Sequence, residues 1–289
     1  MYHFFDKNAS IWYRSEMTET AKNTIKRILP AIAFIVFLMP VVTSSLLDFE
    51  QKRTNEIILE QERKLREAEQ KIYLMGKFDQ TLREDFAQIP SVFVMGPNKM
   101  YLRKEVLDAY LEMQSAAILE GIDLKVASAT RNFDYQAELW NNKWTGSRIV
   151  EGLDLSVAFP DGTERFKKIL EYSAAPGTSR HHWGTDIDIN GAEPAYFDTP
   201  KGIREYEWLV INAPLFGFCQ AYDLKGMERS TGYNEEKWHW SYLPLARIFL
   251  EQYKNLIKSN EINGFLGDEY APQLNLIENY VLSINPDCL

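Results

Sequence analysis

Polar and apolar positions divide the chain into three stretches. Residues 28–47 read ILPAIAFIVFLMPVVTSSLL and carry no charge. Their apolar side chains fall all around a helical projection, which predicts a membrane span rather than a half-buried helix. Residues 48–76 are dense in charge, lack proline and end at Gly76. Glu60–Lys64, Glu62–Arg66 and Glu67–Lys71 have the i,i+4 order that supports an exposed helix. Ile58, Leu65 and Ile72 recur at intervals of seven, but Gln61 breaks the companion series of Ala68 and Met75. Fewer than three good heptads predict a solvated helical stalk with at most weak self-association. From Phe78 onward the period changes repeatedly. Leu102, Val106, Leu107, Tyr110, Leu111 and Ile118 predict a helix over 102–120, closed by Gly121. Leu124–Ser128 and Thr185–Asn190 predict strands, and 163–173, 201–213 and 244–257 predict helices. Helices interspersed with short strands, without a regular βαβ repeat, give an α+β class.

Charge sets the topology of the first stretch. Lys22, Lys26 and Arg27 precede it, and Asp48 and Glu50 follow it. About 20 apolar residues suffice to cross a bilayer. Positive charge on the leading side puts residues 1–27 in the cytoplasm and everything after Leu47 outside. The span is an anchor, or a signal peptide cleaved near Thr43-Ser44-Ser45. With 45% hydrophobic residues over 289 positions, the remainder can bury a core. A net charge of -9 argues against a nucleic-acid-binding surface. Cys219 and Cys288 can pair outside the cytoplasm, and neither lies in a paired metal-binding spacing.

Four histidines occur, and His181, His182 and His239 lie in two short segments. These are Ser179-Arg180-His181-His182-Trp183-Gly184-Thr185-Asp186-Ile187-Asp188 and Glu236-Lys237-Trp238-His239. A hydrolytic zinc site needs three protein ligands and one open position. His181, Asp188 and His239 are candidates. On a strand, Asp186 and Asp188 point alike, so either could ligate. A turn or helix would bring Glu236 and His239 to one face, where a carboxylate could take a proton from metal-activated water. The plainer alternative makes Trp238-His239-Trp240 an aromatic core strand.

The order Ser-x-His-x-x-Gly-x-x-x-Asp followed by Glu-x-Trp-His resembles the VanY-type D-alanyl-D-alanine carboxypeptidases, zinc metallopeptidases of bacterial cell-wall peptides. Upstream, Ser128-Ala129-Thr130-Arg131 with Tyr135-Gln136 is similar to that family's Ser-x-x-Arg and Tyr-Gln segments. The likeness covers residues 95–245. It implies one Zn2+ per chain on His181, Asp188 and His239, with Glu236 as catalytic base. Arg131 would steady the scissile carbonyl or its oxyanion, and Ser179 and Gln136 would contact the substrate. The sequence departs from the family at Asp186, where alanine is common. Asp186 would then support His181 or a neighbouring group, or compete with Asp188. Glu235, beside Glu236, is a second candidate base. Tyr135, Trp183, Trp238 and Trp240 are assigned to core packing.

The expected organisation is a cytoplasmic segment (1–27), a transmembrane anchor or signal peptide (28–47), a helical stalk (48–77) and one catalytic domain (78–289). That domain is expected to hold a small antiparallel sheet flanked by helices. The resemblance implies removal of terminal D-alanine from peptidoglycan stem peptides on the outer side of the cytoplasmic membrane. An endopeptidase of the same fold, or a non-catalytic cell-wall scaffold, are the competing readings.

Overall fold

The computed structural model describes residues 19–289, with the backbone alone at Ala21 and Lys22. Residues 1–18 of the expected cytoplasmic segment lie outside the described residues. The chain falls into two units, Met1–Leu65 and Arg66–Leu289.

The described part of the first unit is helical and belongs to α1 (Glu19–Leu74). Its apolar side chains are bare, with Phe37 77% and Leu47 66% exposed. Among the described residues one helix is long and apolar enough to cross a membrane, and it contains this stretch. Further along, Glu60 pairs with Arg63 at 2.7 Å and with Lys64 at 3.4 Å. Such exposed pairs are screened by water and add little to the helix.

The second unit starts before the expected boundary at residue 78. Tyr73, Leu74 and Met75 are buried in it, because the Trp183 indole donates to the Leu74 carbonyl (3.1 Å) and the Tyr73 hydroxyl to the Trp183 carbonyl (2.7 Å). Residues 66–77 therefore belong to the compact unit. A hairpin of β1 (Phe86–Gln88) and β2 (Tyr101–Arg103) leads into α2 (Lys104–Leu119). Then come β3 (Val126–Ser128), α3 (Phe133–Trp144), the short α4 (Leu155–Ala158) and α5 (Gly162–Ile169). After β4 (Asp186–Ile189) the chain forms α6 (Pro200–Asn212), β5 (Phe218–Gln220), β6 (His239–Tyr242) and α7 (Leu243–Leu256). The predicted helices and strands appear with ends shifted by a few residues. The helix expected over 163–173 stops at Ile169, ahead of Pro176.

The four-stranded antiparallel sheet has the order β3-β4-β6-β5. Its two faces differ in chemistry because side chains alternate along a strand. Ile187 and Ile189 of β4 and Trp240 of β6 join a core with Tyr110 of α2 and Trp208 of α6. Burying each such side chain contributes about 1.5–3 kcal/mol. The alternate positions, Asp186, Asp188, His239 and Ser241, are polar, buried and on the other face. A second core, built from Trp140 of α3, Phe166 of α5, Tyr253 of α7 and the irregular C-terminal stretch, closes around that side. Cys219 and Cys288 form a disulfide, pinning the C-terminus to the edge strand β5.

Candidate metal centre

Strand register brings the pieces together. Asp188 of β4 lies opposite His239 of β6, and Ser128 of β3 is the partner of Asp188 on its other side. His181 arrives from a tight turn, Arg180–Trp183, that ends at Gly184 in the left-handed region (φ 73). A Cβ there would sit 2.4 Å from the Phe86 ring, so glycine satisfies both the backbone and the packing. Glu236 and His239 share a second turn, with the His239 N–H donating to the Glu236 carbonyl at 3.2 Å.

One potential ligand atom each from His181, Asp188 and His239 lies within 4.8 Å of the others, all three residues buried. His181 Nε2 is 3.4 Å and His239 Nδ1 3.3 Å from Asp188 Oδ1. The opposite ring nitrogens fix the tautomers. His181 Nδ1 faces the Ala129 carbonyl at 2.8 Å, and a carbonyl only accepts, so Nδ1 carries the proton. His239 Nε2 sits 2.8 Å from Asp186 Oδ2 and is a donor by the same reasoning. In the neutral rings, His181 Nε2 and His239 Nδ1 then present lone pairs to a carboxylate oxygen that has no hydrogen-bond partner of its own. Three lone pairs converging in a buried place fit a cation, and two imidazoles with a carboxylate are a donor set suited to zinc.

The electrostatics agree. Burial would lift Asp188, but the His181 and His239 rings outweigh it and hold its carboxyl far below the usual range. Burial would depress His239, yet the carboxylates of Asp186, Asp188 and Glu236 around the ring outweigh it and raise its pKa, so the Nδ1 position favours positive charge, which a metal ion would supply in place of a proton. Burial, reinforced by the Arg131 cation, lowers His181. Glu236, its Oε2 3.4 Å from His239 Nδ1, is raised by burial. The pocket is built to draw positive charge toward the space between these groups.

Asp186 and Asp188 point alike, as strand parity predicts, and they share His239 between them. Asp186 is therefore not the support of His181 that the sequence allowed; Ala129 has that contact. Asp186 instead accepts from His239, Arg180 Nε (3.0 Å), Ser241 Oγ (2.9 Å) and Thr185 Oγ1 (2.6 Å). Arg180 is wholly buried against the Trp183 ring and also donates to Ser241 Oγ at 2.6 Å. Sequence reasoning passed over Arg180 and Ser241; an arginine just before a candidate ligand, with an aspartate six residues on, is the signal that could have found them. His182 is a brace. Its Nδ1 meets the Arg131 carbonyl (2.6 Å), its Nε2 accepts the Gly177 N–H (3.0 Å), and burial holds its pKa down to about 3.

A cavity of about 490 Å³ opens beside the cluster, lined by His181, Asp188, His239, Glu236, Arg131 and Gln136 among others. Arg131 donates to Ser128 Oγ (3.0 Å) and lies 3.7 Å from Asp188 Oδ2, so it is no outer-surface salt bridge. Gln136 donates to the Ala174 carbonyl at 2.7 Å and leaves its buried Oε1 unpartnered. Ser179 is buried at the head of the His181 turn and is not among the residues lining the cavity. Glu235 is directed to a separate depression, so of the adjacent glutamates only Glu236 faces the cluster. Tyr222 and Tyr233, neither singled out from sequence, also line the cavity, and the buried Tyr233 hydroxyl has no partner. Trp183, Trp238 and Trp240 pack in the interior as expected, whereas Tyr135 is 46% exposed on α3 and contributes nothing to the core.

The family model VanY, described as D-alanyl-D-alanine carboxypeptidase, matches residues 99–245. YodJ of Bacillus subtilis (strain 168), which carries a carboxypeptidase name, is 32% identical over 151 residues, covering 50% of this chain and 47% of its own. A D-alanyl-D-alanine carboxypeptidase of Enterococcus faecalis (strain ATCC 700802 / V583) is 29% identical over 161 residues, 53% of this chain and 55% of its own. The chain thus spans about half the length of these curated relatives. Among solved structures, the LdcB LD-carboxypeptidase aligns at 27% identity and a TM-score of 0.44, over 68% of this chain and 79% of its own.

Proposed function

Because the chain belongs to the VanY family of D-alanyl-D-alanine carboxypeptidases, we propose that it is a zinc-dependent carboxypeptidase removing terminal D-alanine from peptidoglycan stem peptides. The observation that carries this reading is the convergence of two oriented imidazole lone pairs on an unpartnered buried carboxylate oxygen, with Glu236 beside them.

His181, Asp188 and His239 hold one Zn2+ in this reading. Bound there, the metal supplies Lewis acidity toward the scissile carbonyl and makes water acidic near neutral pH. Glu236, kept basic by its burial, takes the proton of the attacking water and returns it to the departing amine. Arg131, fixed by Ser128, steadies the negative charge that develops on the carbonyl oxygen. The free Oε1 of Gln136 accepts a peptide N–H. Ser179 acts on the substrate only through the His181 turn that it heads. Residues 28–47 anchor the chain in the cytoplasmic membrane with the second unit outside, or are removed as a signal. The disulfide is consistent with an oxidising compartment. Ile58, Leu65 and Ile72, exposed on α1, allow at most weak self-association.

The test is mass spectrometry of a D-Ala-D-Ala-ended stem peptide after exposure to the full chain in detergent with zinc. Loss of one alanine, abolished by a chelator, is the expected result. An unchanged peptide with stoichiometric zinc would favour a non-catalytic scaffold, and cleavage at an internal bond an endopeptidase. Zinc should also raise the unfolding free energy, by about 2.7 kcal/mol at a hundredfold excess over its Kd.

Asp186→Asn probes the support beneath His239. An amide keeps the shape but loses the charge that orients the ring and strengthens its lone pair. Zinc affinity should fall roughly 10–100-fold, read by competition with a chromophoric chelator. Unchanged affinity would remove Asp186 from the metal's supporting shell.

A further inference from the structure

Two cations of the cavity have no counterpart in the chemistry so far. The inner wall of α3 presents Gln136, Leu139, Trp140 and Lys143 to the cavity, a helical face. Lys143 comes seven residues after Gln136, two turns further, or about 10 Å along the axis. Its ammonium donates to Ser173 Oγ. Arg148 lines the same cavity from the loop after α3. Among the described residues no carboxylate lies within 4.0 Å of either cation. Burial, and then the nearby Arg148 and Arg131 charges, lower Lys143 to about 8, against the smaller opposing pull of the Glu236 and Glu193 carboxylates that line the same cavity. An ammonium kept partly desolvated, beside other cations and facing a cavity, is unfavourable until an anion arrives.

We propose that Lys143 and Arg148 form a carboxylate subsite for the acyl portion of the substrate, so that the enzyme favours stem peptides whose acidic residue is free over those in which it is amidated. The inference rests on the peptidase reading above. A one-residue leaving group keeps its own carboxylate within a residue's length of the scissile carbonyl, whereas Lys143 lies two turns along α3 from Gln136. Lys143 is set off from Gln136 by the length of roughly three extended residues, at about 3.3 Å each. That reach suits an acidic side group well upstream of the cut bond. Lysine and arginine together offer both a point charge and a planar fork to such a carboxylate.

The experiment uses the zinc-loaded full chain and three synthetic peptides of the form L-Ala-γ-D-Glu-X-D-Ala-D-Ala. In the first, the glutamate carboxyl is free and X is lysine. In the second, that carboxyl is amidated. In the third it is amidated and X is diaminopimelate, which returns a carboxylate one residue closer to the cut. The first should exceed the second in kcat/KM by about ten-fold or more, mostly through KM. Lys143→Met and Arg148→Gln should each bring the ratio of kcat/KM for the first peptide over the second toward one. Restored cleavage of the third peptide would assign the subsite to the diaminopimelate carboxylate instead of the glutamate. Equal cleavage of all three by the parent protein, or a preference untouched in both variants, would overturn the subsite and leave the peptidase reading standing. Calorimetric binding of the same peptides to the Glu236→Gln chain separates the two ideas further. Tighter binding of the acidic peptides to that chain, with none of the three cleaved by the parent protein, would keep the subsite and sink the peptidase.

Discussion

Glu236→Gln lowers kcat by about 10²–10⁴-fold, the range expected when a positioned base is lost, and leaves zinc bound at one per chain. Glutamine conserves the volume and can still accept a hydrogen bond, but it cannot take a proton at neutral pH. The turn should survive the change, because its backbone is held by the Glu236 N–H to the Tyr222 carbonyl (2.9 Å) and the His239 N–H to the Glu236 carbonyl (3.2 Å). Neither bond involves the altered side chain. Zinc affinity should change little, since the three ligand atoms belong to other residues. Glu235→Gln is the control, and its turnover should stay within about two-fold of the parent, as expected for a surface change. The measurements are zinc content by elemental analysis and alanine release from a D-Ala-D-Ala-ended peptide. Turnover preserved in Glu236→Gln would remove the proposed base. Zinc lost together with turnover would make Glu236 a ligand instead.

The parts of this site legible in the sequence were those whose chemistry repeats a local pattern. The Asp-x-Asp alternation of β4 revealed a two-faced strand, and the three-residue offset of Glu236 and His239 revealed a shared turn. What stayed hidden depended on strand register. The sequence could not tell that Ser241 lies opposite Asp186, or that Asp186 serves His239 while a backbone carbonyl serves His181. The strand β6 was legible only as the plainer alternative for Trp238-His239-Trp240. Alternation accommodates both readings: Trp240 faces the core, and His239 faces the cluster that could hold a metal. Helix α3 was read only as a motif, although Asn132 caps it by accepting from the Tyr135 N–H. The C-terminal stretch gave no periodic signal because it is irregular, yet Ile262, Phe265, Leu276 and Ile284 complete one of the two cores.

That irregular closure makes the disulfide the largest expected contributor to stability outside the cores. The Cys219→Ser/Cys288→Ser double variant should lose about 4 kcal/mol relative to the oxidised parent. The bond joins residues 69 apart, and cross-linking a loop of that size removes correspondingly large freedom from the unfolded chain. In the folded state β5 is an edge strand, held on one side by β6. On the other side, the Asn285 N–H donates to the Ala221 carbonyl (2.9 Å) and the Asn285 side chain to the Gln220 carbonyl (3.1 Å). These bonds should keep the C-terminus docked once the cross-link is gone, so the loss should act through the unfolded state and leave zinc binding intact. About 4 kcal/mol is a large part of the roughly 5–15 kcal/mol that a domain possesses. Urea unfolding of the oxidised parent, the reduced parent and the double variant, all as full chain in detergent with saturating zinc, reads the difference directly. The reduced parent should match the double variant. Midpoints that coincide for all three would refute a stabilising contribution from this cross-link.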